Sequence, residues 1–159
     1  MSAEDTRKVA ELIKGQRFGF LTTTTPEGKL TSRPMTLQEV EFDGDLWFFA
    51  ERDSHPVAHV ARSPQVNVGV GSGGTWVSLT GTARIVADAA KKRDLWNSAV
   101  EAWFPQGPDD PGVVLIHVTG ESAEYWNSPG GRLSTAFSFV KAKATGERID
   151  AGENEKVDL

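Results

Sequence analysis

His55 and His59 stand four residues apart in the stretch Trp47 to Val60, WFFAERDSHPVAHV. That spacing lets two imidazoles share one helix face, as metal-binding histidines do. No HExxH pattern accompanies them and no third ligand follows, so two surface histidines are the competing reading and no metal site is assigned. The same stretch passes from strand formers, Trp47, Phe48 and Phe49, to a helix start that Asp53 or Ser54 can cap, with Pro56 in the first turn. Amides left unpaired at such a start can hold an anion, or can bind only water in an ordinary strand-to-helix connection.

A second candidate is Thr31-Ser-Arg-Pro-Met-Thr36. Proline deletes a ladder donor, so Pro34 implies an edge, a bulge or a break in its strand. Arg33 beside it can reach an anion or pair with a surface carboxylate. Other chemistries lack their residues. The chain has no cysteine, which removes disulfides, thiolate nucleophiles and thiolate metal sites. No nucleophile-elbow pattern supports a serine triad. The glycines from Gly69 to Gly74 join strand to strand, so they read as a hairpin turn and not as a phosphate loop.

The 159 residues, 38% of them hydrophobic, suit one domain with a real core. No apolar run approaches the roughly 18 residues of a membrane helix, and the charged, amphipathic start MSAEDTRKVAELIKGQ is unlike a signal peptide. A cytoplasmic protein without membrane partners is expected. The net charge of −5 argues against nucleic-acid binding, which needs clustered Lys and Arg. Five tryptophans can serve core packing, interfaces or flat ligands.

The elements that must position these residues follow from periodicity and turn chemistry. Asp5 to Lys14 reads as a short helix stopped by Gly15, and Arg17 to Thr25 as a strand turned by Pro26-Glu27-Gly28-Lys29. Leu30 to Phe42 should return antiparallel. Asp43-Gly44 signals a hairpin into Leu46 to Ala50, and a helix spans about Ser54 to Arg62. Gln65 to Val70 and Trp76 to Val86 are strands, the latter with room for a bulge or a close neighbour at Gly81. Asp88 caps a helix whose Leu95, Trp96, Ala99, Val100 and Trp103 form an apolar stripe read as core. After a rigid loop, Pro105 to Gly112, come two strands, Val113 to Val118 and Ser122 to Trp126, then a helix over about Leu133 to Ala144. A polar tail, 147–159, has too little apolar content to order itself. Mostly hairpin-connected strands with inserted helices predict an α+β fold, an antiparallel closed or split β-barrel, in one domain over 1–146.

If the second and third strands form that hairpin, Arg33 to Thr36 lies beside the end of strand three and the helix start at Ser54. A ligand with an anionic tail and a flat polar ring could then place its tail at the helix and its ring along the broken strand. Flavin mononucleotide, FMN, has that shape.

The ordered set SRPM at 32–35, LWFF at 46–49, DSHPV at 53–57, PQVNV at 64–68, VSLTGTARIV at 77–86, DLW at 94–96, AWFPQGPDDP at 102–111 and AEYW at 123–126 resembles the general stress protein family of FMN-binding split barrels, relatives of pyridoxamine 5′-phosphate oxidase. The similarity runs from about residue 7 to Gly146. It implies a six-stranded antiparallel split β-barrel with flanking helices, a homodimer, and FMN in a groove between subunits. By the resemblance, Arg33, Pro34, Met35 and Thr36 run along the ring and the phosphate side, and Phe49, Ala50 and Glu51 continue that wall. Ser54 and His55 meet the phosphate, Trp126 approaches from the partner subunit, and Trp76 holds a position that contacts flavin in the oxidase relatives.

The family pattern Ser-x-Lys reads Ser54-His55-Pro56 in this chain, and Ala50 stands where threonine is common. A charge-assisted contact is worth roughly 1.5–3 kcal/mol, so its loss corresponds to about 10- to 150-fold weaker binding unless Arg33, Arg52 or a protonated His55 compensates. Of the basic residues that recognise pyridoxamine phosphate in the oxidase branch, Arg132 is the one nearby counterpart. The implied function is a flavin-dependent oxidoreductase of unassigned substrate acting in general or oxidative stress, with a nicotinamide or other small-molecule electron donor. The alternatives are a non-catalytic flavin-binding or sequestering protein and a barrel that holds another ligand.

Overall fold

The structure, a computed structural model, describes residues 2–128, 140–146 and 152–159. Ser2 caps helix α1 (Ala3–Ile13) through its side chain, and the chain then forms β1 (Phe18–Thr24), β2 (Leu30–Thr36) and β3 (Asp45–Glu51). Helix α2 (His55–Arg62) leads to β4 (Gln65–Ser72) and β5 (Thr75–Val86), and two short helices, α3 (Ala89–Leu95) and α4 (Ser98–Trp103), precede β6 (Val113–Asn127). Residues 140–145 are helical, and β7 (Glu153–Asp158) closes the chain. Of the helix expected over Leu133 to Ala144, 133–139 lie outside the described residues. Among the described residues no helix is long and apolar enough to cross a membrane.

All strands join one antiparallel sheet in the order β2-β1-β4-β5-β6-β3, with β7 also beside β6. The expected hairpin between β2 and β3 therefore does not form. β2 ends at Thr36 and among the described residues pairs with β1 alone, while β3 pairs with β6 from Asp45↔Thr119 to Glu51↔Val113. Asp43 accepts from the Asp45 amide at 3.1 Å, and the Gly44 carbonyl accepts from Gly120 of β6 at 2.8 Å. The Asp-Gly pair thus turns the chain onto β6. The two ends of the sheet, β2 and β3, still meet in space, so the sheet curls into an antiparallel split barrel.

Three more expectations are corrected. Val113 to Val118 and Ser122 to Trp126 are one strand, β6, with Glu121 as the extra residue of a bulge opposite Thr80/Gly81. The helix begun at Asp88 stops at Leu95, because Asn97 caps a new helix by accepting from the Val100 amide at 3.0 Å. The polar tail, expected to stay unordered, supplies β7, whose Val157 is buried against the core; among the described residues the split barrel thereby has seven strands, one more than the expected six. A strand so poor in apolar residues is ordered by the edge that β6 offers, not by a core of its own.

Alternation splits the apolar residues between two cores. Leu21, Val68, Leu79, Phe48, Ile116 and their neighbours fill the barrel, where Val9 of α1 and Val57 and Val60 of α2 cover them. Phe49, Val113 and Leu115 face the other way onto Leu95 and Val100. A Cβ on Gly81 would meet the Thr119 carbonyl oxygen within the barrel wall at 2.3 Å. Gly81→Ala is accordingly expected to lower unfolding free energy by about 1–3 kcal/mol, read as a lower midpoint in chemical denaturation with an unchanged slope.

Candidate functional site

Where the free edges of β2 and β3 approach, a cleft of about 410 Å³ opens. Pro34, Met35 and Thr36 form one wall and Phe49, Ala50 and Glu51 the facing one. Ser54 and Pro56 bring the start of α2 to it, and Ala99, Val100, Trp103 and Phe104 add α4 and its exit. Phe18 and Gln38 complete the lining. Pro34 is tolerated because β2 is an edge strand, whose outer row of amides has no ladder partner to lose.

The β3–α2 link is pinned by the loop that precedes β6. The Arg52 amide donates to Gly112 O at 2.8 Å and its Nε to Pro111 O at 2.7 Å. Ser54 occupies the N-cap position without capping: its Oγ donates to Glu51 O at 2.6 Å, and α2 has no side-chain cap. The first amides of α2 are therefore left to a ligand or to solvent. The α4 wall is held from behind. Phe49 meets Trp96 edge-on at 5.3 Å and Phe104 at 6.4 Å, and Lys92, 2% exposed, donates through Nζ to Asp110 O at 3.0 Å and Val113 O at 2.8 Å.

The cleft gathers seven of the residues singled out from sequence: Pro34, Met35, Thr36, Phe49, Ala50, Glu51 and Ser54. Four stand outside its lining. Arg33 turns onto β1 and donates through Nη1 to Leu21 O at 3.1 Å and Thr23 Oγ1 at 2.7 Å. His55 is exposed at the start of α2, its ring 6.2 Å from that of His59. Trp76 and Trp126 face each other across β5 and β6. Arg132 lies outside the described residues.

The α4 residues were missed. Their helical spacing gave a core stripe, and Leu95, Val100 and Trp96 do pack in a core, yet Ala99, Val100 and Trp103 also line the cleft and Trp103 is 73% exposed. Asn97, a cap residue inside that stripe, was the available signal that the helix restarts in a new direction.

Among the described residues Glu51 is the one ionisable side chain in the cleft lining. Outside the lining, Thr23 is fully buried and links Arg33 to His59, whose Nδ1 lies 2.9 Å from Thr23 Oγ1. Burial lowers the Arg33 pKa from its ordinary value. The His59 pKa is lowered first by burial, then by the charges of Arg33 and His55, with Glu27 opposing. His117 is engaged elsewhere: Arg84 Nε donates to its Nδ1 at 3.0 Å, its Nε2 lies 2.9 Å from Asp45 Oδ2, and it stacks on Trp47. Among the described residues no three His, Cys, Asp or Glu side chains converge as a metal site would require.

The family model described as pyridoxamine 5′-phosphate oxidase like matches residues 4–150. Protein bli-3 of Neurospora crassa is 30% identical over 151 residues, covering 87% of this chain and 72% of that protein. General stress protein 26 of Bacillus subtilis is 28% identical over 136 residues, 80% of this chain and 93% of the relative. The crystal structure of the general stress FMN/FAD binding protein of Xanthomonas citri superposes with a TM-score of 0.68 at 28% identity, covering 79% of this chain and 90% of that one.

Lys92 ties α3, which leads into the α4 wall, to the loop before β6 and to the first residue of β6. Lys92→Met keeps the apolar stem and strands one buried carbonyl, Val113 O, and one partly buried, Asp110 O, so it should cost about 1–3 kcal/mol. Faster proteolysis within 105–112 than within the strands is the expected local signature, and unchanged stability would show that the clamp is dispensable.

Proposed function

The chain belongs to the pyridoxamine 5′-phosphate oxidase-like family, and on that premise we propose that its cleft binds FMN and that the protein is a flavin-dependent oxidoreductase of unassigned substrate, acting in general or oxidative stress as a homodimer. The observation that carries this reading is the cleft itself. It has flat apolar walls at the meeting of two sheet edges and a helix start without a side-chain cap at its rim. Such a donor set fits an aromatic ring with an anionic tail. The name of the Xanthomonas citri protein, FMN/FAD binding, supports flavin as the ligand class.

A bound flavin supplies hydride or single-electron chemistry, and the protein binds, orients and shields it. Pro34, Met35, Phe49 and Ala50 would flank the ring and exclude water. Ser54 O–H is committed to Glu51 O, so the phosphate side depends on the α2 amides and on Arg33 behind them. No acid–base pair lines the cleft among the described residues, and this favours one second reading, a flavin-sequestering protein without turnover. The reading includes a cytoplasmic setting, with a reduced nicotinamide as the electron donor.

Support for the dimer comes from the outer face of the sheet. Phe18 and Phe20 are each 57% exposed, Trp76 56% and Trp126 40%. The register puts them in one band, since Phe20 faces Gly69, Gly71 faces Trp76, and Trp76 faces Trp126. The Trp76 ring lies over Gly71, where a Cβ would meet its Cε3 at 2.1 Å. Phe18 joins this band to the cleft, so a second copy seated on it would also wall the ligand site, with Trp76 and Trp126 at that boundary.

Protein purified from a flavin-replete host should be yellow, and added FMN should raise its melting temperature; stabilisation at 100-fold excess over Kd is about 2.7 kcal/mol. A colourless protein that no flavin stabilises would refute the proposal. Catalytic reoxidation of flavin reduced by a nicotinamide donor separates the oxidoreductase from the sequestering protein.

The dimer is tested by mass in solution. Light scattering should give twice the chain mass for wild type and a single chain mass for Phe20→Glu at the same concentration, and a monomeric wild type would sink this part of the reading.

A further inference from the structure

Arg33 has hydrogen bonds to neutral groups only, and among the described residues no carboxylate lies within ion-pair distance of it. Its partner Thr23 is fully buried between two nitrogen-bearing side chains. A guanidinium can only donate, so Thr23 Oγ1 accepts from Arg33 and its single hydrogen is free to go to His59 Nδ1, 2.9 Å away. A neutral His59 that carries its hydrogen on Nε2 is the tautomer that completes this chain of donors. If His59 is protonated, both neighbours donate to Thr23 Oγ1, which has two lone pairs for them, and its own hydrogen is released to another acceptor.

The cluster is tied to the cleft through the chain, because Arg33 directly precedes Pro34 of the lining and His59 follows Pro56 of the lining by three residues on α2. The groups that act electrostatically on His59 are Arg33 on β2, His55 on its own helix and Glu27 in the β1–β2 turn. Two of these three are cationic when charged. The site is short of negative charge until a ligand brings it.

We propose that a phosphate monoester held beside Arg33 is bound together with one proton, which His59 takes up at Nδ1 against Thr23. His59 is a positioning residue here, and its protonated form supplies the cation that a lysine at position 56 would have given. This rests on the reading that the cleft's ligand is a flavin with a phosphate tail.

The sign of the linkage follows. In the free protein burial, Arg33 and His55 hold the His59 pKa below its ordinary value, so His59 is unprotonated near neutral pH. A nearby dianion raises that pKa. Affinity for the dianion therefore increases as pH falls through the raised pKa and levels off below the free-state pKa, with a limit of about tenfold per pH unit for one proton.

FMN and riboflavin, which differ only by the phosphate, are the probes. Their affinities, measured by flavin fluorescence quenching between pH 8 and 6.5, keep the FMN phosphate mostly dianionic, since its second pKa is about 6. The ratio of riboflavin Kd to FMN Kd should rise about fivefold across this window in wild type and stay flat in His59→Gln, which retains a side-chain partner for Thr23 but cannot take up the proton. A flat wild-type ratio, or an unchanged slope in the variant, overturns the proposal while leaving flavin binding intact. Binding of neither flavin is the failure of the underlying reading, and the linkage is then decided on wild type by NMR titration of the His59 Cε1–H with and without inorganic sulfate, a dianion throughout this range. Sulfate should raise the His59 pKa, and an unmoved titration overturns the proposal in that case and equally if His59→Gln fails to fold.

Discussion

From Val113 to Val118 strand β6 is buried at every position, with Val114, Ile116 and Val118 in the barrel and Val113 and Leu115 against α3 and α4. A strand buried on both faces must also satisfy its backbone on both edges, since an unpaired amide there has no water to turn to. β5 takes one edge. The other goes to β3 along the first half and to β7 along the second. Satisfying β6 thus removes β3 from its sequence neighbour β2 and leaves both as the free edges of one sheet. The cleft is where these edges come together without pairing. Its apolar floor and its backbone polarity both derive from that arrangement.

Local structure was legible where short-range chemistry decides it. The positions of β1, β4, β5 and α2 follow from alternation, caps and turns, and Gly81 was marked as a close approach because a small residue interrupted an apolar face. Pairing was less legible. Asp43-Gly44 is a strong hairpin signal, but a turn reports only that the chain reverses and not which strand it meets. Gly120 claims the Gly44 carbonyl, and the apolar surface of β6 outweighs the local preference. β7 was illegible for a related reason. Glu153 to Asp158 carries one buried apolar residue, and its order comes from hydrogen bonds on an edge supplied by distant sequence.

The candidate site was legible to a similar degree. Residues of β2, β3 and the α2 start could be grouped from sequence although the hairpin invoked to group them is absent, because curling the sheet brings β2 and β3 together by another route. The α4 wall could not. Helical periodicity identifies an apolar stripe and is silent on whether that stripe faces a core or a cavity. Trp103 illustrates the limit: it has the right phase for a core residue and stands almost free of cover.

Polarity is divided between the cleft and the barrel interior. The cleft walls are mostly apolar, with Glu51 as their one ionisable group among the described residues, while the guanidinium of Arg33 and the imidazole of His59 turn inward onto Thr23. A partly buried guanidinium with neutral partners is less stable than one with a counter-ion, because hydrogen bonds to a carbonyl and a hydroxyl replace water only in part. That cost is borne by the ligand-free protein and falls when an anion arrives. With proline at position 56 no exposed lysine stands ready for this task, so recognition of a negative group would rely on charge already held in place by the β1–β2 ladder. Such preorganisation loses little side-chain entropy on binding, whereas a flexible lysine must be ordered as it engages. The His-Pro sequence at the head of α2 is therefore compatible with anion recognition, but by a stiffer and more proton-sensitive arrangement than a lysine would provide.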